Sequence, residues 1–254
     1  MTPGQLVKAV AMALDVPEET VTQHDRNLVV AGLRTKGGRG RSAPDVTPSD
    51  AARLLVATVG SIRTKDSVRT LVEFENTKYR RLDMDWAKLI DHGRAQGIVV
   101  TDEEEKSLLD SRSFSDPAIT ALAPDHNFVQ AIASLISHAS APVADLDLHL
   151  VRFSEISIEC NSPFIRAHIG KVGGGSAAYG RPTPKTAPTP LTQPRHERYA
   201  QYYGILQRRS FYGSAIMLLG KAFRDGGLPF KSAKDAIDAL TGKKVATKSR
   251  RKVV

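Results

Sequence analysis

Five prolines between Arg181 and Pro194, in RPTPKTAPTPLTQP, set the first limit on what this chain can build. Proline fixes φ and removes a backbone donor, so a run this dense supports neither helix nor sheet. Gly173-Gly-Gly-Ser176 precedes it and favours no regular conformation either. Residues 173–195 therefore read as a linker that divides the chain. At 254 residues there is enough chain for a sizeable core and one to two domains.

The N-terminal part begins with helix signals. Thr2-Pro3-Gly4-Gln5 is a capping-box start, with Thr2 as cap, Pro3 at the first helical position and Gln5 reaching back. Leu6, Val7, Val10 and Leu14 then share one apolar stripe at helical spacing. Asp15-Val16-Pro17 ends that helix, because a residue before proline is pushed out of the α region. Pro17 opens a second helix with Glu18 and Glu19 in its first turn, where the helix dipole favours carboxylates. Val21, Leu28 and Ala31 are expected to turn inward, and Gly32 to stop the helix before Leu33. The opposite face carries Glu19, Gln23, Arg26 and Val30, flanked by Thr22 and Asn27; Glu18, Glu19 and Asp25 repel phosphates there, and only the cations of the loop that follows outweigh them.

After Gly32-Leu33 comes Arg34-Thr-Lys-Gly-Gly-Arg-Gly-Arg41, a glycine loop with four cations and no acid. Gln, Asn, Arg and Thr have the donor and acceptor geometry that meets base edges or phosphates. The expected DNA contacts are Thr22, Gln23, Arg26 and Asn27 on the helix, with Arg34, Lys36, Arg39 and Arg41 on the loop. A phosphate cradle for a nucleotide is the poorer reading of the loop, which lacks a Gly-Lys-Ser/Thr ending and follows no strand. Two amphipathic helices with a solvated basic loop is the bland alternative. The order helix, turn, helix, basic loop resembles the winged helix-turn-helix pattern, through Ala13-Leu14-Asp15-Val16, Thr20-Val21, Leu28, Gly32-Leu33 and Gly37 to Arg41. It is also similar to the start of phage or mobile-element regulators of proteobacteria. That resemblance implies a helix from Pro17 to Ala31 in the major groove and a loop over phosphates or the minor groove.

Further on, Thr47-Pro48-Ser49-Asp50 repeats the cap-proline-acid device ahead of Ala51, Leu54, Leu55 and Val59, a third helix closing a small N-terminal core. Ser67 to Asn76 is apolar enough for another helix, and Lys78-Tyr-Arg-Arg81 reads as its solvated basic end. Met84 to Arg94 predicts a short helix burying Trp86, and Asp102-Glu-Glu-Glu105 an acidic helix start. Phe128, Ile132, Leu135 and Ile136 make a core stripe. From Leu146 the period changes to alternation: Leu146, Leu148, Leu150, then Ile156, Ile158 and Cys160, and after Asn161-Ser-Pro163 a second run of Ile165, Ala167 and Ile169. Two such runs about a turn predict a β-hairpin, with Cys160 on its apolar phase as a buried small hydrophobe. Beyond the linker, His196 to Arg224 is helical in period, with Gly204 and Gly213 as breaks and arginines 195, 198, 208 and 209 among its aromatics. A last helix, Ser232 to Leu240, leads to a tail with six cations and no acid. Within the tail Lys243, Lys244, Arg250 and Arg251 are expected as secondary phosphate contacts.

The expected fold class is thus α+β and mainly helical. A helix-turn-helix with a basic loop occupies 1–62, and an α+β region with a hairpin near 146–170 occupies 63–172. The linker spans 173–195, a helical segment 196–241, and a basic disordered tail 242–254. A net charge of +9 favours polyanionic partners. A single cysteine excludes an internal disulfide, and there is no apolar run of bilayer length or signal-peptide pattern, so the expected location is cytoplasmic, with no membrane partner. The seven histidines are scattered, no metal-ligand spacing or catalytic elbow stands out, and neither a cofactor nor an enzymatic site is expected. The reading of first choice is a sequence-specific DNA-binding transcription regulator of phage or mobile-element type. It would bind double-stranded DNA, with a homodimer and a transcription-machinery partner as further candidate contacts. A phage packaging or nucleoprotein component, similar to a small terminase, is the alternative. A nucleic-acid-processing enzyme is the third.

Overall fold

The computed structural model describes residues 1–35, 45–81, 94–95, 101, 116–142, 152–153, 156–162, 165–171, 176–180, 207–228 and 235. Helix α1 (Pro3–Leu14) opens with the capping box its sequence announces: Gln5 N donates to Thr2 Oγ1 at 3.3 Å and Thr2 N to Gln5 Oε1 at 2.7 Å. It ends at Asp15, in the left-handed region at φ 52°, whose N–H closes on the Ala11 and Met12 carbonyls. Helix α2 (Glu18–Val30) starts one residue later than the sequence suggests, with Pro17 as its cap. Gly32 stops it at φ 71°, a conformation costly for a residue with a Cβ. Its inward residues are Val21, His24 and Leu28, whereas Ala31 falls past the last turn and is exposed.

Helix α3 (Pro48–Gly60) has the second capping box, Thr47 with Asp50, and is buried on nearly every side from Asp50 to Gly60. It is the central rod. Helices α1, α2, α4 (Ser67–Glu75) and α6 (Phe128–Ser140) pack around it, with the short α5 (Pro117–Thr120) against α6. A 3-10 turn, Thr64–Asp66, leads into α4 and lies against α2.

Five antiparallel strands form one sheet in the order β1-β4-β3-β2-β5: β1 is Lys78–Arg81, β2 Ile156–Ser162, β3 Arg166–Lys171, β4 Ser176–Gly180 and β5 Gln207–Tyr212. Strands β2 and β3 form the expected hairpin, pairing Ile158 with Ile169 and Cys160 with Ala167. The alternation then puts Ile156, Ile158, Cys160, Ala167 and Ile169 on the buried face, and burial pushes the Cys160 thiol well up, foremost by desolvation. The sheet packs against α3 and α7 (Gly213–Arg224).

Three local expectations change here. Lys78–Arg81 is an edge strand paired with β4 and not a helix end. Ser176–Gly180, inside the stretch expected as linker, is β4 between β1 and β3. Within the segment expected as helical after the prolines, Gln207–Tyr212 is β5, hydrogen-bonded along β2. Helix α7 then docks on α6 and α1. Buried apolar side chains of residues 1–62, of the middle region and of β5–α7 join one hydrophobic cluster, from Leu6 and Leu54 to Ile158 and Ile216. Residues 36–44, 82–93, 102–115, 143–150, 181–206 and 236–254 lie outside the described residues. The acidic run, the proline-rich stretch, the Leu146–Leu150 alternation and the basic tail fall there, as does nearly all of the helices expected at 84–94 and 232–240.

Candidate nucleic-acid interface

Helix α2 is held at its inner face by a polar cluster. His24 is buried, with Nδ1 2.7 Å from Ser67 Oγ at the start of α4. The Ser67 hydroxyl donates to the Thr64 carbonyl, so the His24 ring is the donor toward Ser67. Burial, and secondarily the Arg209 charge, lowers the His24 imidazole to about 4, which keeps it neutral at ordinary pH. Asn27 Nδ2 donates to the same Thr64 carbonyl at 2.7 Å. Two side chains of α2 thereby fasten the turn before α4 to the helix.

That cluster sorts the expected contact residues. Gln23 and Arg26 are exposed and lie three residues apart, on one face of α2. Gln23 donates to Asn27 Oδ1 at 3.2 Å. Thr22 is half-buried and its hydroxyl donates to the Glu18 carbonyl at 2.8 Å. Asn27 is half-buried, its amide spent on Thr64. Arg34 does not project from the loop at all. It is 5% exposed, and its guanidinium grips Asp25, with Nη2 donating to Oδ2 at 2.7 Å and Nε against Oδ1. Burial raises the Asp25 carboxyl above the usual range in spite of Arg34 beside it. Lys36, Arg39 and Arg41 of the loop, and Lys243, Lys244, Arg250 and Arg251 of the tail, lie outside the described residues.

The loop's near end is tied to α3. Thr35 N and its hydroxyl both donate to Asp50, at 3.1 Å and 3.3 Å from Oδ1. Burial pushes the Asp50 carboxyl up, but the hydrogen bonds from Thr47 and Thr35 outweigh it and hold it below its ordinary value.

Cations that sequence reasoning passed over adjoin α2. Arg63 and Lys65 are exposed on the turn that Asn27 grips, and Arg69 is exposed one helical turn further on. Among the described residues no side chain of Arg26, Arg63, Lys65 or Arg69 has an ion-pair or hydrogen-bond partner. Several other described cations are neutralised locally, Arg34 by Asp25, Arg53 by Glu75, Lys78 by Asp125, Arg152 by Asp116 and Lys221 by Asp225, whereas Lys8 of α1 and Arg166 of β3 are likewise exposed without a counterion among the described residues. Arg63, Lys65 and Arg69 are spread through IRTKDSVR, from the end of α3 into the first turn of α4, with Asp66 among them, so no charge run advertises them. Only the packing of that turn and of α4 on α2 brings them to the helix that carries Arg26.

Elsewhere the polar clusters are structural. His126 bridges the Ala123 carbonyl and the Tyr179 hydroxyl, 2.6 Å and 3.0 Å away, and stacks on Tyr79. Asp116 caps α5 and holds Arg152. Among the described residues no group of histidine, cysteine and carboxylate side chains is placed to hold a metal ion, and no helix is long and apolar enough to cross a membrane. Comparison with family models, with curated proteins and with solved structures finds no match, so the functional reading stands on this geometry alone.

Proposed function

We propose that this chain binds double-stranded DNA through the exposed face of α2 and acts as a transcription regulator. One observation carries the reading: Gln23 and Arg26 stay exposed on α2, and the turn and helix packed against α2 expose Arg63, Lys65 and Arg69, four arginine and lysine side chains without counterions among the described residues. Uncompensated cations on one surface attract a polyanion, and a duplex offers regularly spaced phosphates to match them. The net charge of +9 acts in the same direction. Gln23 and Arg26 have the donors to reach a base edge, Arg26 bidentately. With Asn27 committed to Thr64 and Arg34 to Asp25, few side chains are left for base contacts. Binding should therefore be dominated by phosphates, with a modest sequence preference.

The test is selection of bound fragments from genomic DNA, followed by titration of the best fragment and a scrambled duplex. Gln23→Ala/Arg26→Ala should lower the preference for the selected fragment by roughly tenfold to a hundredfold, the worth of about 1–3 kcal/mol per base contact. A variant that keeps the full preference would remove α2 as the reading element. Wild-type protein that ignores duplex DNA altogether would remove the function.

A further inference from the structure

The turn between α3 and α4 is held from two directions. On one side Asn27 of α2 donates to the Thr64 carbonyl at 2.7 Å. On the other, Arg209 of β5 crosses from the C-terminal part of the chain and donates through Nη1 to the Ser61 carbonyl at 2.8 Å, with the Val59 carbonyl at 3.5 Å. Ser67 adds a third bond, to Thr64 O. The carbonyls that flank Ile62 and Arg63 are thus occupied by side chains of the protein, which pins a loop that would otherwise be free to move. What remains exposed on it is Ile62, Arg63 and Lys65, with Arg69 following on α4.

We infer that residues 61–69 form a phosphodiester-binding platform beside α2, and that Arg209 is its positioning residue. The inference rests on the duplex-DNA reading and gives that duplex a second contact, to its backbone. Three features support it. The platform's cations have no partner among the described residues, so no ion pair there has to break on binding. Its backbone is fixed in advance, so less ordering cost opposes binding than for a free loop. Asp66, the one acid in IRTKDSVR, is half-buried, while the three cations are exposed. The role of Arg209 makes the segment beyond the proline-rich stretch part of the interface, although it need not touch the nucleic acid.

The experiment titrates the full chain with a short scrambled duplex across salt concentrations. Removing one phosphate contact should reduce the slope of log K against log salt by about 0.9, so Arg63→Ala/Lys65→Ala should flatten it by about 2. Thermal unfolding should not move, since neither side chain gives up a partner. Arg209→Ala should weaken binding severalfold, yet weaken it no further in the Arg63→Ala/Lys65→Ala background, because it acts through them. If Arg209→Ala does not fold, Arg209→Lys, which keeps the charge but not the paired donors, replaces it in the same cycle. An unchanged slope in Arg63→Ala/Lys65→Ala overturns the platform while leaving duplex binding intact. Additive effects overturn the positioning role and make Arg209 a phosphate contact itself. A flattened slope together with an undisturbed fragment preference in Gln23→Ala/Arg26→Ala keeps the platform and removes α2. Wild-type protein that does not bind the duplex overturns both readings.

Discussion

Gly220 offers the sharpest test of how the C-terminal segment joins the core. It lies within α7 where that helix crosses α6, and a Cβ built on it would stand 2.5 Å from the Ala139 carbonyl carbon, 2.5 Å from Ala139 Cβ and 2.6 Å from its carbonyl oxygen. Ordinary contact begins near 3.4 Å, so the two helices would have to part by nearly an ångström along this crossing. No rotamer change relieves it, since two of the three atoms are backbone. Overpacking of this kind costs about 1–3 kcal/mol, and the rigid obstacle places Gly220→Ala toward the upper end. Removing glycine from a helix interior returns about 1 kcal/mol. The net effect is destabilisation by about 2 kcal/mol, or roughly 4–8 °C in Tm for a chain of this size. Gly4→Ala is the internal control. Nothing lies within 4 Å of its Cβ, so the same change there should stabilise by about 0.4–1 kcal/mol. Urea unfolding of both variants gives the comparison. Ala139→Gly should not rescue Gly220→Ala, because the carbonyl group remains in the way. A neutral or stabilising Gly220→Ala would refute the close α6–α7 crossing and, with it, the docking that brings β5 to the rest of the fold.

Two further outcomes follow from the polar groups under α2. Asp25→Asn leaves the Arg34 charge buried without its counterion and should cost about 3–5 kcal/mol in urea unfolding, whereas replacing both partners by apolar residues should cost much less; a neutral Asp25→Asn would return Arg34 to solvent. His24 is lowered from 6.5 to about 4 by burial and then by Arg209, so between those values the unfolded chain binds a proton that the folded chain does not. Its contribution is therefore complete above pH 6.5 and lost as pH falls toward 4, by on the order of 3 kcal/mol. His24→Gln should flatten that limb of stability against pH, and an unchanged limb would place the acid sensitivity elsewhere.

The candidate interface shows how far a motif reading reaches. The exposure of Gln23 and Arg26 was legible because helical spacing alone puts them opposite Val21 and Leu28. Asn27 and Arg34 look equally suited on paper. Their fate turns on Thr64, 37 positions away from Asn27, and on an acid of α2 that the loop's first arginine folds back to meet. The position of Arg63, Lys65 and Arg69 was illegible for the converse reason: it exists only once the turn and helix carrying them settle on α2.

Helix ends and the hairpin belong to the sequence by itself. Thr2 with Gln5, Thr47 with Asp50, and the alternation from Ile156 to Ile169 act within a few residues, and the forces they use are local: a cap bond, a fixed φ, a side chain that faces one way or the other. Partners were decided by the tertiary structure. Lys78–Arg81 and Gln207–Tyr212 are strands because β4 and β2 present free backbone groups to them, and a helical period cannot compete with a ladder of hydrogen bonds on a sheet edge. The prolines between β4 and β5 divide the sequence, yet burial of Ile216 and Leu219 alongside Leu6 and Leu135 draws both sides of that divide into one core.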